Sequence, residues 1–153
     1  MMDINGFVID ASSMIILDKA GAMNVLASNV PLISSLSIRD EFVEKSEPKD
    51  WFERIKWRDT KSTGDKSIQS LIIRNNNYAL LSDDFKLLEY AENHNKFYTS
   101  AIAIPAFLYL NEIIHKETGI ILFERIHTIG YYSDKVIRLA WSFFDRNFAP
   151  EWF

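Results

Sequence analysis

The stretch Ile4-Asn5-Gly6-Phe7-Val8-Ile9-Asp10-Ala11-Ser12-Ser13 decides the fold. A short apolar run ending on an acid, then on small hydroxyl residues, has the form of a buried strand over residues 4–9 that delivers Asp10 to a helix start. Tyr78-Ala79-Leu80-Leu81, running into Ser82-Asp83-Asp84, repeats the arrangement. Val30-Pro31-Leu32-Ile33 and Lys96-Phe97-Tyr98-Thr99 are weaker strand candidates. Residues 12–27 place Ile15, Ile16, Ala20, Met23 and Ala27 near a 3.6-residue period, and residues 37–45, 65–75 and 84–93 follow the same helical pattern. This alternation predicts an α/β fold: a central parallel sheet of four to five strands with helices on both faces, in three layers α/β/α.

After Thr99 the strand signal stops. Residues 101–115, 119–129 and 133–147 read as helices, with Gly119 and Gly130 as C-cap or turn residues. No repeat, low-complexity tract or linker interrupts the chain. Residues 1–153 therefore read as a single domain with a helical C-terminal part from about residue 101.

At 153 residues the chain is long enough to bury one continuous core. It has no cysteine, which excludes disulfides and thiolate zinc sites. No apolar run reaches the roughly 18 residues of a membrane span. The start Met1-Met2-Asp3-Ile4-Asn5 lacks the basic and apolar regions of a signal peptide, so the expectation is a cytoplasmic protein with no membrane partner. The net charge of −4 argues against a generic nucleic-acid coat, which neutralises phosphates with a basic excess. It leaves room for a nuclease, because clustered carboxylates that bind cations reverse the local field.

Ligands of an open parallel sheet bind beyond the carboxyl ends of its strands. Asp10 and the Asp83-Asp84 pair both stand at such ends. Glu41, in Ile38-Arg39-Asp40-Glu41-Phe42, and Asp65, in Thr63-Gly64-Asp65-Lys66-Ser67, stand at helix starts or first turns. Carboxylates converging on one cleft repel one another unless a cation holds them, and hard oxygen ligands suit Mg²⁺ or Mn²⁺. The same acids have structural uses: Asp10 ahead of Ser12 and Ser13, and Asp83 or Asp84, are good helix N-caps. Asp40-Glu41 and Asp65 also read as solvated helix residues.

The ordered set of motifs resembles the PIN-domain family of metal-dependent ribonucleases, which includes the VapC-type toxins of many toxin–antitoxin pairs. Phe7-Val8-Ile9-Asp10-Ala11-Ser12 resembles the family's opening strand with Asp-x-Ser/Thr, and Ile38-Arg39-Asp40-Glu41-Phe42 its metal-facing Glu. Gly64-Asp65-Lys66-Ser67-Ile68 resembles the acid that opens a helix, and Leu80-Leu81-Ser82-Asp83-Asp84-Phe85 the strand ending in Thr/Ser-x-Asp. Gly130-Tyr131-Tyr132-Ser133-Asp134 resembles a Gly-aromatic-x-Ser turn found in a less-studied branch. The resemblance implies Asp10, Glu41, Asp65 and Asp84 as catalytic metal ligands, direct or through water, with Asp83 as the alternative to Asp84. It implies Ser12 as the group orienting Asp10, and Ser82 as its counterpart near Asp84. The implied activity is a Mg²⁺- or Mn²⁺-dependent endoribonuclease acting on single-stranded RNA, with an antitoxin protein and a homodimer as further partners. A catalytically weak PIN-like module acting through a protein partner is the alternative.

Two segments remain open between readings. Lys49 to Lys61 (KDWFERIKWRDTK) interleaves Trp51, Phe52 and Trp57 with basic residues; it suits either base stacking or an amphipathic helix with its aromatics in the core. The aromatic stretch from Trp141 to Phe153 suits either an interface or docking onto the chain's own sheet. A haloacid-dehalogenase-type phosphatase needs an acid where Ser12 stands. A receiver domain needs an N-terminal acidic pair and a Lys-Pro, both missing. His94, His115 and His127 fall in no ligand spacing, and neither a phosphate loop nor a nucleophile elbow is present.

Overall fold

The computed structural model describes residues 3–153; Met1 and Met2, part of the amino-terminal start considered above, lie outside the described residues. Five parallel strands form one sheet: β1 (Gly6–Ile9), β2 (Leu32–Ser35), β3 (Ile55–Arg58), β4 (Tyr78–Leu81) and β5 (Tyr98–Thr99), in the order β3-β2-β1-β4-β5. β1 and β2, the latter with two buried serines at its end, are buried throughout and β4 nearly so, which places them inside the sheet, while β3 and β5 form its edges. Helices flank the sheet, as a parallel connection requires. They are α1 (Ala11–Lys19), α2 (Met23–Asn29), α3 (Leu36–Lys45), α4 (Gly64–Arg74), α5 (Phe85–Asn93), α6 (Ile104–Leu110), α7 (Lys116–Ile129) and α8 (Asp134–Ser142).

The strand order reverses at β1. The chain steps outward from β1 to β2 and β3, then returns to the other side of β1 to lay down β4 and β5. Ile9 is in register with Leu81, so β1 and β4 end at the same level. Such a reversal opens a crevice at the carboxyl ends of the two strands.

Several elements differ from the sequence expectation. The helix expected over residues 12–27 is two helices. Gly21 takes φ +82°, Ala22 N–H bonds Leu17 C=O at 2.8 Å and Gly21 N–H bonds Asp18 C=O at 3.0 Å, which closes α1 with a Schellman turn. Strand β1 begins at Gly6 rather than Ile4, and β2 lies two residues beyond the expected run. The segment from Lys49 to Lys61 is not a helix: a 3₁₀ turn, Asp50–Arg54, leads into β3. In β3, buried Ile55 and half-buried Trp57 alternate with exposed Lys56 and Arg58, a period of two. The aromatics of this segment do face the core. Trp51 packs edge-on against Phe42 at 5.2 Å and Phe52 lies 4.8 Å from Trp57, while Trp51 Nε1 donates to Asp18 at 2.9 Å.

The helix expected over residues 101–115 is a 3₁₀ turn (Ala101–Ala103) followed by the shorter α6, and α8 stops at Ser142. Gly119 is not a terminator. It lies inside α7, where an added Cβ would meet the Phe144 ring at 2.9 Å, so it serves close approach, whereas Gly130 does cap α7. The C-terminal aromatics dock largely on the chain itself. Phe107 lies 5.1 Å from Phe7 and 5.5 Å from Phe153, and Trp152 stacks on Phe97 at 5.3 Å. Among the described residues no helix is long and apolar enough to cross a membrane.

Gly6 admits no side chain: an added Cβ would stand 2.1 Å from the Pro31 carbonyl oxygen, which accepts the Phe7 N–H at 3.0 Å. Gly6→Ala forces β1 away from β2, and the expected loss is about 3 kcal/mol, the upper range for overpacking. Urea unfolding with an unchanged slope and a lower midpoint is the expected result.

Candidate active site

Asp10 follows the last residue of β1 and caps α1, its Oδ1 accepting the Ser13 N–H at 2.9 Å. Its Oδ2 accepts the hydroxyl of Ser82, the first residue beyond β4. Ser82 Oγ in turn accepts the Asp84 N–H at 3.0 Å. One carboxylate and one hydroxyl thus join the two strand ends at the point where the sheet order reverses. Ser12, expected to orient Asp10, is exposed on the cleft wall; the Ser13 amide and the Ser82 hydroxyl hold the carboxylate instead. The reason lies in N-capping, which draws the amide three residues on, rather than the side chain two residues on, to the capping oxygen.

The expected acids line one cleft of about 280 Å³, formed by Asp10, Ser12, Ile38, Glu41, Asp65, Asp83 and Asp84 with Ala11. A serine network sets the two helices that carry Glu41 and Asp65. Ser35 caps α3 by accepting the Ile38 N–H at 3.0 Å, and its hydroxyl meets that of Ser67 in α4 at 2.7 Å. Ser67 donates to the Gly64 carbonyl at 2.6 Å, and Ser37 Oγ accepts the Gly64 N–H at 3.0 Å. The first turns of α3 and α4 are therefore stitched together.

The Asp83-Asp84 doublet divides its work. Asp83 is bonded through both oxygens: Oδ1 accepts the Ala101 N–H at 3.0 Å and Oδ2 the Tyr132 hydroxyl at 2.7 Å. Asp84 caps α5 through Oδ1 alone, accepting the Lys86 and Leu87 N–H at 2.8 and 3.2 Å. Its Oδ2 has no protein hydrogen bond among the described residues. Asp84 thus serves as helix cap and cleft carboxylate at once. The Gly130-Tyr131-Tyr132 turn carries no local sign of this contact; only the fold brings residue 132 against residue 83. Asp40 is exposed and does not line the cleft, whereas Glu41 does, paired through Oε1 with Lys45 at 3.0 Å.

The charges in this cleft are poorly compensated. Burial raises the Asp10 carboxyl above its ordinary value; the Ser82 and Ser13 bonds offset part of that, and the Asp83 charge adds to it. Burial likewise raises Asp83, against the bonds from Tyr132 and Ala101. Asp65 is raised by desolvation, then by the charges of Asp84 and Glu41, with Lys86 opposing. Burial, then the Asp83 carboxylate, pushes the Tyr132 phenol far above the usual tyrosine range.

Hard carboxylate oxygens under mutual repulsion fit a hard divalent cation chemically. The ligand set is not closed, however: among the described residues no three His, Asp or Glu side chains come together as a ready metal site. Asp10, Asp83 and Asp84 already spend oxygens on the backbone and on hydroxyls. What remains suits Mg²⁺-like binding, in which one or two carboxylates act and water fills the other positions. Comparison with family models, with curated proteins and with solved structures returned no match for this chain.

The raised folded-state value of Asp10 fixes a sign. Its neutral form favours the fold, so that stability is present below the unfolded value of about 3.9 and is lost as pH rises through the folded value. Asp10→Asn keeps the cap acceptor and removes the buried charge. In chelator at neutral pH the variant is expected to melt about 3 °C or more above the parent, with the difference vanishing below about pH 4. A variant less stable than the parent at neutral pH contradicts this.

Proposed function

We propose that this chain is a divalent-metal-dependent endoribonuclease that cleaves single-stranded RNA and leaves a 5′-phosphate. The observation that carries the proposal is the gathering of Asp10, Glu41, Asp65 and Asp84 in one cleft at the reversal point of a parallel sheet. The motif resemblance to PIN-domain ribonucleases supplies the reaction class. Asp10 and Asp84 would hold Mg²⁺ or Mn²⁺, which supplies a polarised water and charge stabilisation at the phosphodiester. Ser82 keeps Asp10 aimed across the strand ends. Asp65, its proton affinity raised by burial and by Asp84 and Glu41, is suited to accept a proton from the attacking water. Glu41 keeps an oxygen free of Lys45 and orients that water.

On the same resemblance, an antitoxin protein is the partner to look for, and the cytoplasm is the place of action. A second reading, a PIN-like binding module acting through a protein partner, draws on one observation. Leu139, Trp141 and Phe148 stay largely exposed around α8 and beyond it, as a surface for a partner or a second copy would be.

Incubation with single-stranded RNA and Mn²⁺ is expected to give fragments with 5′-phosphates, abolished by chelator. Glu41→Gln and Asp84→Asn, which keep size and, for residue 84, the helix cap, are expected to slow cleavage by about 100-fold or more. Undiminished cleavage in both variants excludes the assigned site.

A further inference from the structure

The edge strand β5 carries unpaired backbone groups beside an apolar groove. In its ladder with β4, the Phe97 and Thr99 carbonyls accept the Leu80 and Ser82 N–H at 2.9 and 3.1 Å, so residues 97 and 99 bond inward. The N–H and C=O of Tyr98, and the N–H of Ser100, therefore face away from β4. None of the three has a hydrogen-bond partner among the described residues. A groove of about 450 Å³ meets Phe97, Tyr98 and Thr99 in turn. Successive strand residues point to opposite faces, so a groove lined by all three follows the open edge itself rather than one face of the sheet. Leu88 of α5, Val136 and Leu139 of α8, and Trp152 complete its largely apolar walls, and Phe97, Val136 and Leu139 stay exposed there. One cation lines the same groove. Lys96 reaches the Asn76 amide oxygen at 3.5 Å and forms no ion pair among the described residues. Glu92, whose charge bears on the Tyr98 phenol, does not line the groove.

We infer that the β5 edge binds an extended peptide segment of another protein, which adds as a strand with apolar side chains at alternate positions and a carboxylate at the end beside Lys96. The inference does not depend on the nuclease function, and it gives a chemistry to the protein partner of the second reading. Unpaired groups on a sheet edge are a template for another chain. An apolar groove by itself suits a helix or an acyl chain equally, but neither of those presents N–H and C=O groups in the two-residue repeat that Tyr98 and Ser100 call for. An added strand does, and its alternate side chains enter the adjoining groove. Charge sets which end lies where: an ammonium on an apolar wall attracts a carboxylate more strongly than one in open water.

The test is selection of random displayed octapeptides on the parent chain, with the enriched sequences then measured as labelled synthetic peptides by fluorescence anisotropy. The expected sequences carry apolar residues two apart and an acid at one end. Tyr98→Ala keeps the outward N–H and Tyr98→Pro removes it, a change that the outer side of an edge strand accepts. The proline variant is expected to bind at least about tenfold more weakly than the alanine variant. Should the proline variant not fold, N-methylation of the peptide makes the same test on the parent chain. Methyl groups on alternate amides in one register should cost about tenfold or more, and in the other register little. Lys96→Glu should reverse the preference to a basic end. No enriched peptide, apolar residues spaced three and four apart as on a helix, or affinity indifferent to the backbone changes overturns the inference. So does a parent that is dimeric by light scattering and becomes monomeric on Leu139→Glu, which gives the groove to a second copy. Each of these leaves the nuclease function standing.

Discussion

The hydrogen bond between Ser82 and Asp10 crosses the gap between β4 and β1, and the remainder of the cleft is arranged around it. Asp10 is buried, and among the described residues its partners are a hydroxyl and an amide, with no cationic side chain. Such a carboxylate costs stability when charged. The fold tolerates it because Asp10 also caps α1, and because Ser82 links it to the Asp84 backbone. A strained charge at a reversal of strand order is a common mark of a functional site, where stability is given up for chemistry.

Rigidity on the other wall comes from serines rather than from ion pairs. The Ser35–Ser67 contact and the Ser37–Gly64 bond hold the starts of α3 and α4 together, so that Glu41 and Asp65 face the same space. Tyr132 fastens the C-terminal helical part to the same corner through Asp83. Asp83, bonded at both oxygens, serves as the clamp; Asp84, with one oxygen free, is the better cleft carboxylate. The doublet that sequence left open is divided by hydrogen bonding.

Much of the site was legible because strand ends and helix caps are local features. The run Phe7-Val8-Ile9 into Asp10, and Leu80-Leu81 into Ser82-Asp83-Asp84, needed no long-range information, and β4 falls on the expected residues. Contacts set by tertiary packing were hidden. Nothing near Ser82 announces that its hydroxyl turns to residue 10, and nothing near Tyr132 announces Asp83. The edge strand β3 was missed because Trp51, Phe52 and Trp57 mix a buried 3₁₀ turn with a two-residue period. The break in the first helix was missed because Gly21 follows an unbroken helical pattern of apolar residues. Trp152 and Phe153 suit interface and core equally as sequence, and only their ring contacts with Phe7, Phe97 and Phe107 put them in the core.

The central claim is that the cleft carboxylates share a divalent cation, and the most direct measurement is thermal unfolding with and without millimolar Mn²⁺, on the parent chain and on Asp10→Asn. At about 100 times its dissociation constant a ligand stabilises by ~2.7 kcal/mol, a shift of several degrees for a chain of this size. The account predicts that rise in the parent and its loss in Asp10→Asn. A parent whose melting is unmoved by Mn²⁺, or a variant that keeps the full rise, contradicts it.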